Sequence, residues 1–270
     1  MTGLPPHTAL RLVEAVAAAG VLLGSLERLA RPRELADTSL ASWPVLRLRH
    51  PRYAFGLTGA ALHPVVAYPA VLWLVAARAA AAACLLAPGA AAHRPLHVAL
   101  LTAVVTTGAA LGLRGAGGGE GSDQVLRIVF ATLLLVALHP TAAVVRLGLW
   151  FLALQACLAY FVSGIYKVTS RPWQDGTGLT GILSTRCYGH RGVATWLTAR
   201  PATTRWLSRG LSTAEMLFPL VLLAPAPLVP LALAAGALFH LACAAVMGLN
   251  CFVWAFTALY PAVAWAALGQ

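Results

Sequence analysis

Apolar stretches long enough to cross a bilayer recur from one end of this 270-residue chain to the other. About 20 consecutive apolar residues carry a helix through the hydrocarbon core. Of the residues, 60% are hydrophobic and only 10% charged, too few polar side chains to cover a globule in water. None of the runs shows the period-two alternation of a barrel strand. Backbone groups in hydrocarbon must find partners within their own segment, so each run is predicted to be a helix.

Eight candidate spans follow: Thr8–Leu29, Tyr53–Leu85, Pro95–Leu113, Gln124–Leu138, Ala142–Val168, Leu211–Leu223, Pro227–Leu249 and Asn250–Leu268. The expected fold is all-α, a polytopic transmembrane helix bundle of about eight spans forming a single domain over residues 1–270, with one basic interfacial loop-helix segment. The second stretch is too long for one straight span and holds Pro64 and Pro69, so it is expected to kink or break. The sixth is short and begins near Glu215. No basic region precedes the first run and Glu14 interrupts it, so it is expected to stay as a helix rather than be cleaved as a signal peptide.

The formal net charge is +11, but the loops 28–52, 114–123 and 169–210, with flanking Arg127 and Lys167, hold 15 of the 19 Lys and Arg. This pattern carries topology. It predicts a multi-pass protein of the cell membrane with the basic loops 30–52 and 169–210 in the cytoplasm and both termini outside. The lipid bilayer and its anionic headgroups are the expected partner. A nucleic-acid partner is not expected, because no basic helix or aromatic-interleaved basic patch suits that task. The five cysteines form no CxxC pair, and no metal site is expected. Residues Gly192 to Arg209, directly after Arg191, mix Val193, Trp196, Leu197, Trp206 and Leu207 with Arg200, Arg205 and Arg209. Two readings fit: an interfacial segment interrupted at Pro201, with tryptophans at headgroup depth, or packing against the core.

Ionisable groups at membrane depth are costly, and each is a functional candidate. Lys167 is the sole lysine beside eighteen arginines. A desolvated lysine can lose its proton and act as a base, whereas arginine keeps its own. The alternative is a helix-end cation that snorkels to the interface. His240 lies deep in the seventh run, where it serves either as an interhelical hydrogen-bond partner or as a proton relay or quinone-oxygen ligand. Asp175, in the turn with Gly176, is expected to cap the next segment or pair with Lys167 or an arginine. Glu14, Glu27 and Glu215 read as structural partners of Arg11, Arg28 or Arg209. Arg78 has no sequence neighbour to answer its charge. The glycine-rich run Gly115–Gly121 lacks the phosphate-cradling GxxxxGK[ST] pattern and reads as a loop.

The run Tyr160-Phe-Val-Ser-Gly-Ile-Tyr-Lys167 followed by Trp173-Gln-Asp-Gly176 resembles the signature segment of the HTTM (horizontally transferred transmembrane) family, whose best-known member is the vitamin K-dependent gamma-carboxylase. Gly121-Ser-Asp-Gln-Val-Leu-Arg127 resembles that family's entry to a mid-bundle helix, and Phe239-His240 with Met247-Gly248-Leu249 its late Phe-His helix. The similarity spans 121–261. It implies Lys167 as a base that deprotonates reduced vitamin K or menaquinol, and His240 as a second catalytic or pocket residue. Tyr160, Tyr166 and Trp173 would contact the quinone, and Asp175, Gly176, Asp123 and Arg127 would support the site. The long soluble region of full carboxylases has no counterpart before Gln270. The closer resemblance is to short, bundle-only bacterial members, some similar to the membrane component of sporulation-delaying peptide maturation. That group implies an accessory role in maturation, export or protection in a small-peptide system, with a small peptide or a partner membrane protein. A quinol-dependent carboxylase-like or epoxidase-like enzyme is the alternative implication.

Overall fold

The computed structural model describes residues 4–39, 42–49, 55–115 and 121–269, and among these every regular element is a helix. Arg52, Tyr53 and most of the glycine-rich run lie outside the described residues. The chain packs as two compact units, Arg11–Val144 and Met1–Leu10 with Val145–Gln270.

The Arg11–Val144 unit contains most of α1 (Pro6–Ala30), then α2 (Gly56–Val66), α3 (Val71–Leu86), α4 (Arg94–Gly112) and α5 (Gly121–Leu138). Pro64 sits inside α2, which stops at Ala67, and α3 leaves at 69° to it, so the second expected span is a bent pair. α3 packs on α4 and α4 on α5. Val71, Val75 and Leu111 form a core cluster covered by Leu29, Leu35, Tyr68 and Leu74. Polar groups fasten the helices where apolar packing leaves off. Glu14 of α1 meets His97 of α4 at 2.8 Å and also pairs with Arg11. Arg94 donates from Nε to the carbonyl of Ala137 at 3.2 Å and from Nη2 to that of Leu138 at 2.7 Å, satisfying carbonyls that the end of α5 leaves open.

The second unit is built on α6 (Ala142–Thr169), a 28-residue helix. The segment expected as a basic loop-helix stretch folds into four helices, α7 (Arg171–Asp175), α8 (Thr177–Leu183), α9 (Arg191–Thr198) and α10 (Pro201–Leu217). Pro201 opens α10 rather than interrupting a helix, because proline is tolerated at the first helical position, where no amide partner is needed. α11 (Leu228–Met247) ends at Gly248, whose φ of 73° turns the chain into α12 (Asn250–Thr257) and α13 (Tyr260–Leu268).

α10 is polar on its inner face. Thr204, Ser208, Ser212 and Glu215 are buried at helical spacing, while Trp206 is 72% and Leu207 52% exposed. The buried hydroxyls are satisfied locally: Thr204 donates to the Leu197 carbonyl at 2.8 Å, Ser208 to that of Trp173 at 2.6 Å and Ser212 to that of Ser208 at 2.7 Å. The segment thus has an exposed side and a side packed on its neighbours. Trp196, Trp206 and Leu207 are exposed, and Leu197 and Val193 join Leu183 and Ala194 in a core cluster.

Among the described residues six helical stretches are long and apolar enough to cross a membrane: α1, α4, α5, α6, α11 and Asn250–Leu268. Counting the bent α2–α3 pair as one span makes seven. The sixth expected span is not among them. Its residues fall on the end of α10 and on the 3-10 helix Phe218–Leu223, where Glu215 is buried and Pro219 breaks the α-helical pattern. The molecule is an all-helical protein whose apolar helices suit a lipid bilayer.

Candidate functional site

Four residues of α6, Tyr160, Ser163, Gly164 and Lys167, stand at i, i+3, i+4 and i+7 and so share one face. The glycine sets how closely α10 approaches. A Cβ at position 164 would lie 2.6 Å from the Cα of Met216 and 2.8 Å from the carbonyl carbon of Glu215, so only glycine admits this crossing. The close crossing brings Glu215 against the α6 face. Lys167 Nζ donates to Glu215 Oε1 at 2.7 Å and Oε2 at 2.5 Å, and Ser163 Oγ donates to Oε2 at 3.1 Å. The side chains of Lys167 and Glu215 are 18% and 5% exposed, a pair shielded from water, where charge-assisted bonds are strong and a lone partner would be costly.

Trp173 of α7 places its ring centroid 5.0 Å from Lys167 Nζ, and Gln174 Nε2 donates to the Lys167 carbonyl at 3.4 Å. One turn of α7 thereby covers the cation. Gly176 closes α7 with φ of 88° and lies against Thr204 of α10. Asp175 accepts from the backbone N–H and the hydroxyl of Thr177, the first residue of α8. These two bonds hold its carboxyl below the usual aspartate range, with Arg205 adding a smaller pull. Asp175 thus bonds the start of α8 and makes no ion pair with Lys167. The partner of Lys167 is Glu215, and Arg209 donates instead to the Gln174 carbonyl at 2.9 Å.

Two turns toward the other end of the face, Tyr160 Oη lies 2.7 Å from His240 Nε2 and 2.6 Å from Tyr260 Oη. Aromatic rings fix this cluster: Phe218 stacks on Tyr160 at 4.1 Å between centroids, and Phe256 on His240 at 4.5 Å. Gly236 leaves room for it. A Cβ there would meet the Tyr260 hydroxyl and come within 3.3 Å of Tyr160 Oη. His240 is 3% exposed, and its Nδ1 is buried with no hydrogen-bond partner among the described residues.

These groups line one cavity of about 480 Å³, the size of a small-molecule site. Tyr160, Lys167, Trp173, Glu215 and His240 contribute to a wall otherwise made mainly of apolar side chains such as Leu183, Val246 and Phe252. Among the described lining residues, Lys167 and Glu215 are the only carboxylate and ammonium groups. Such a space holds an apolar body and offers polar contacts at two points: an ion pair that can shift a proton internally, and a hydroxyl–imidazole pair that can donate or accept.

The structure therefore gathers Lys167, His240, Tyr160 and Trp173 at one site. Tyr166 is 73% exposed and does not line the cavity. Asp123 and Arg127 belong to the Arg11–Val144 unit, where Asp123 pairs with Arg28 at 3.6 Å and Arg127 Nε donates to the Asp123 carbonyl at 3.2 Å. Sequence reasoning missed Ser163, Tyr260 and the central place of Glu215. A signal for the last was present: Glu215 is the only acidic residue after Asp175, and no basic residue stands three, four or seven positions from it. Among the described residues no group of three or more His, Cys, Asp or Glu is placed to hold a metal ion. No family model, no curated protein and no solved structure matches this chain.

Proposed function

We propose that this chain is a multi-pass membrane protein of HTTM type that binds a lipid-soluble quinol, of the reduced vitamin K or menaquinol class, in the cavity beside α6 and takes a proton from its hydroxyl. One observation carries the reading: a shielded lysine–carboxylate pair sits on the wall of an apolar cavity whose other polar end is a tyrosine–histidine pair. A quinol matches this pattern with an apolar ring and tail and hydroxyl groups to address.

In the paired state Lys167 is a donor to both oxygens of Glu215 and has no capacity to accept a proton. A proton shift within the pair leaves a neutral amine and a neutral carboxylic acid, with formal charge balanced throughout. The amine then accepts the proton of a ligand O–H, regenerating ammonium beside the new oxyanion, which it stabilises electrostatically. Lys167 is the general base in this reading and Glu215 its proton store. The resemblance of Tyr160–Lys167 and Trp173–Gly176 to the HTTM signature supports the quinol class and an O₂-dependent, carboxylase-like or epoxidase-like outcome. The positive-inside rule supports a cytoplasmic side for the arginine-rich stretches 30–52 and 169–210.

The test is quinol epoxidation by purified protein in lipid under O₂, with reduced menaquinone or vitamin K. Wild type forms epoxide; Lys167→Ala and Lys167→Arg do not, the arginine because it retains charge and gives no neutral base. Absence of both epoxide and quinol binding in folded wild type overturns the proposal. That result leaves the second implication of the resemblance, an accessory role in maturation, export or protection in a small-peptide system, under which Lys167 variants keep their function.

A further inference from the structure

The cavity beside α6 is not closed on every side. Most of its lining residues are buried or half-buried, but Trp196 of α9 is 47% exposed, Leu207 of α10 is 52% exposed, and Ala242 of α11 is exposed as well. A residue that lines the cavity and also meets the outside marks its mouth. All three are apolar, whereas the polar groups stand further in, on the buried Tyr160, Glu215 and His240 and the half-buried Lys167. Polar groups within and apolar groups at the opening are the reverse of a mouth that faces water. Arg200 fixes one rim residue: its guanidinium carbon lies 4.8 Å from the centroid of the Trp196 ring, and its Nη1 donates to the Trp196 carbonyl at 3.4 Å.

α11 shows what lies outside. It is long and apolar enough to cross a membrane, and only 11% of its most apolar stretch is buried. Ala242 lies four residues after the exposed Leu238 and three before the exposed Ala245, so the three are neighbours on one side of the helix. Phe239, Cys243 and Val246, beside them, line the cavity. The cavity wall therefore runs along α11 into a surface suited to hydrocarbon, with Ala242 belonging to both. Ala242 precedes the last residue of α11, Met247, by five positions, which places it about 7.5 Å inside the end of the span at about 1.5 Å per residue. At about 480 Å³ the cavity lies in the lower part of the range of about 300–1,000 Å³ for sites that enclose a whole drug-sized molecule. A quinol ring with the start of its chain fills that space, and a long chain must leave it.

We infer that the mouth at Trp196, Leu207 and Ala242 is a lateral portal to the bilayer, and that it holds the prenyl chain of the bound quinol. The ring enters first, with a hydroxyl toward Lys167, and the chain stays in lipid. Such a site takes quinols of any chain length, because the chain is never enclosed. Ala242 sets the clearance, being the smallest of the three rim residues. The prenyl occupant rests on the quinol reading; the portal rests on the lining and its exposure alone.

The test uses the full chain in lipid nanodiscs without O₂, and two probes: a menaquinol with a long polyprenyl chain, and menadiol, which has the same ring and no chain. Each variant is compared with wild type for the same probe, so partitioning of the probe into lipid cancels. In Ala242→Phe, which narrows the mouth, binding of the chain-bearing quinol falls about tenfold or more and binding of menadiol is kept. Leu207→Trp narrows it from α10 and gives the same selective loss, so the result does not depend on one variant folding. Ala245→Phe, exposed on α11 but outside the cavity lining, changes neither. A second measurement needs no quinol. Cys243 lines the cavity, and with Cys84, Cys157, Cys187 and Cys251 replaced by serine it is labelled by a maleimide carried on an acyl chain dissolved in the bilayer; Leu207→Trp slows that labelling about tenfold or more. Failure of both quinols to bind folded wild type overturns the quinol reading and the prenyl occupant with it, while the labelling still decides the portal. Equal loss of both probes, no loss of the chain-bearing one, or labelling unchanged by Leu207→Trp overturns the portal.

Discussion

Removing one partner of the Lys167–Glu215 pair leaves a buried charge with nothing to balance it, and the structure sets the size of that effect. At the observed 2.5 to 2.7 Å, two unit charges in a medium of effective dielectric about 20 attract by about 6 kcal/mol. Desolvation of two groups exposed by only 18% and 5% offsets much of this, several kcal/mol for each ion. The net worth of the pair is therefore small, while the penalty of an orphaned partner is large. Lys167→Met and Glu215→Met are each expected to cost about 3–5 kcal/mol, and the double substitution much less than their sum. The assay is reversible unfolding by sodium dodecyl sulfate in mixed micelles, with circular dichroism following helix content across the four proteins of the cycle. A coupling energy of about 2 kcal/mol or more, of stabilising sign, is expected from the shielded geometry. Single variants that each cost under about 1 kcal/mol, with additive effects, would refute the reasoning, because such values belong to a solvated surface pair. The same cycle separates roles: the double variant recovers stability and does not recover proton transfer.

Gly164→Ala inserts a methyl group into the backbone of Met216, so α6 and α10 must separate. A loss of about 1–3 kcal/mol is expected from overpacking, with weakened quinol binding, measured by the same unfolding assay and by tryptophan quenching. The Thr177 amide reports the Asp175 turn. The Asp175 carboxyl is lowered in the folded state, so its bonds are complete above the ordinary aspartate value of about 4 and are lost as pH falls through the lowered one. Amide exchange at Thr177 should rise only in that acid range, and Asp175→Asn, which keeps an acceptor oxygen, should remove the pH dependence. Trp206, 72% exposed on the outer face of α10, should be quenched by lipids spin-labelled at the headgroup, and Trp206→Phe should remove that component with under about 0.5 kcal/mol change in stability.

The long apolar runs announced their helices closely. The first was expected over Thr8–Leu29 and is Pro6–Ala30; the fifth, expected over Ala142–Val168, is Ala142–Thr169. Length and hydropathy alone decide such segments. The 170–210 region reads in sequence as a basic loop-helix segment, and the extent of its helices is not legible there because they are short, punctuated by proline and glycine, and polar on the side that is buried. A hydrophobic-face criterion fails for α10, whose inner face is Thr204, Ser208, Ser212 and Glu215. At the site, Lys167 and His240 stood out as ionisable groups in apolar surroundings, and their rarity was enough to find them. Their partners were not legible: Glu215 lies 48 residues from Lys167 and Tyr260 lies 100 from Tyr160, and only the helix crossing at Gly164 and the clearance at Gly236 bring them together. Arg78, inexplicable beside its sequence neighbours, acquired a setting once α4 placed Gly108 next to it.

The shared face of α6 also acts as a ruler. Seven residues separate Tyr160 from Lys167, so the hydroxyl–imidazole end and the ion-pair end are spaced by about 10 Å along one rigid rod, at 1.5 Å per residue. No side-chain rearrangement elsewhere alters that spacing, because both ends hang from the same helix. Adding or deleting a single residue between them would swing Lys167 around the axis by about 100°, out of line with Tyr160, while every residue type in the segment stayed the same. Substitutions within this stretch can be graded, but changes in its length cannot, and any chain that keeps both ends of the cavity working must keep the interval between them.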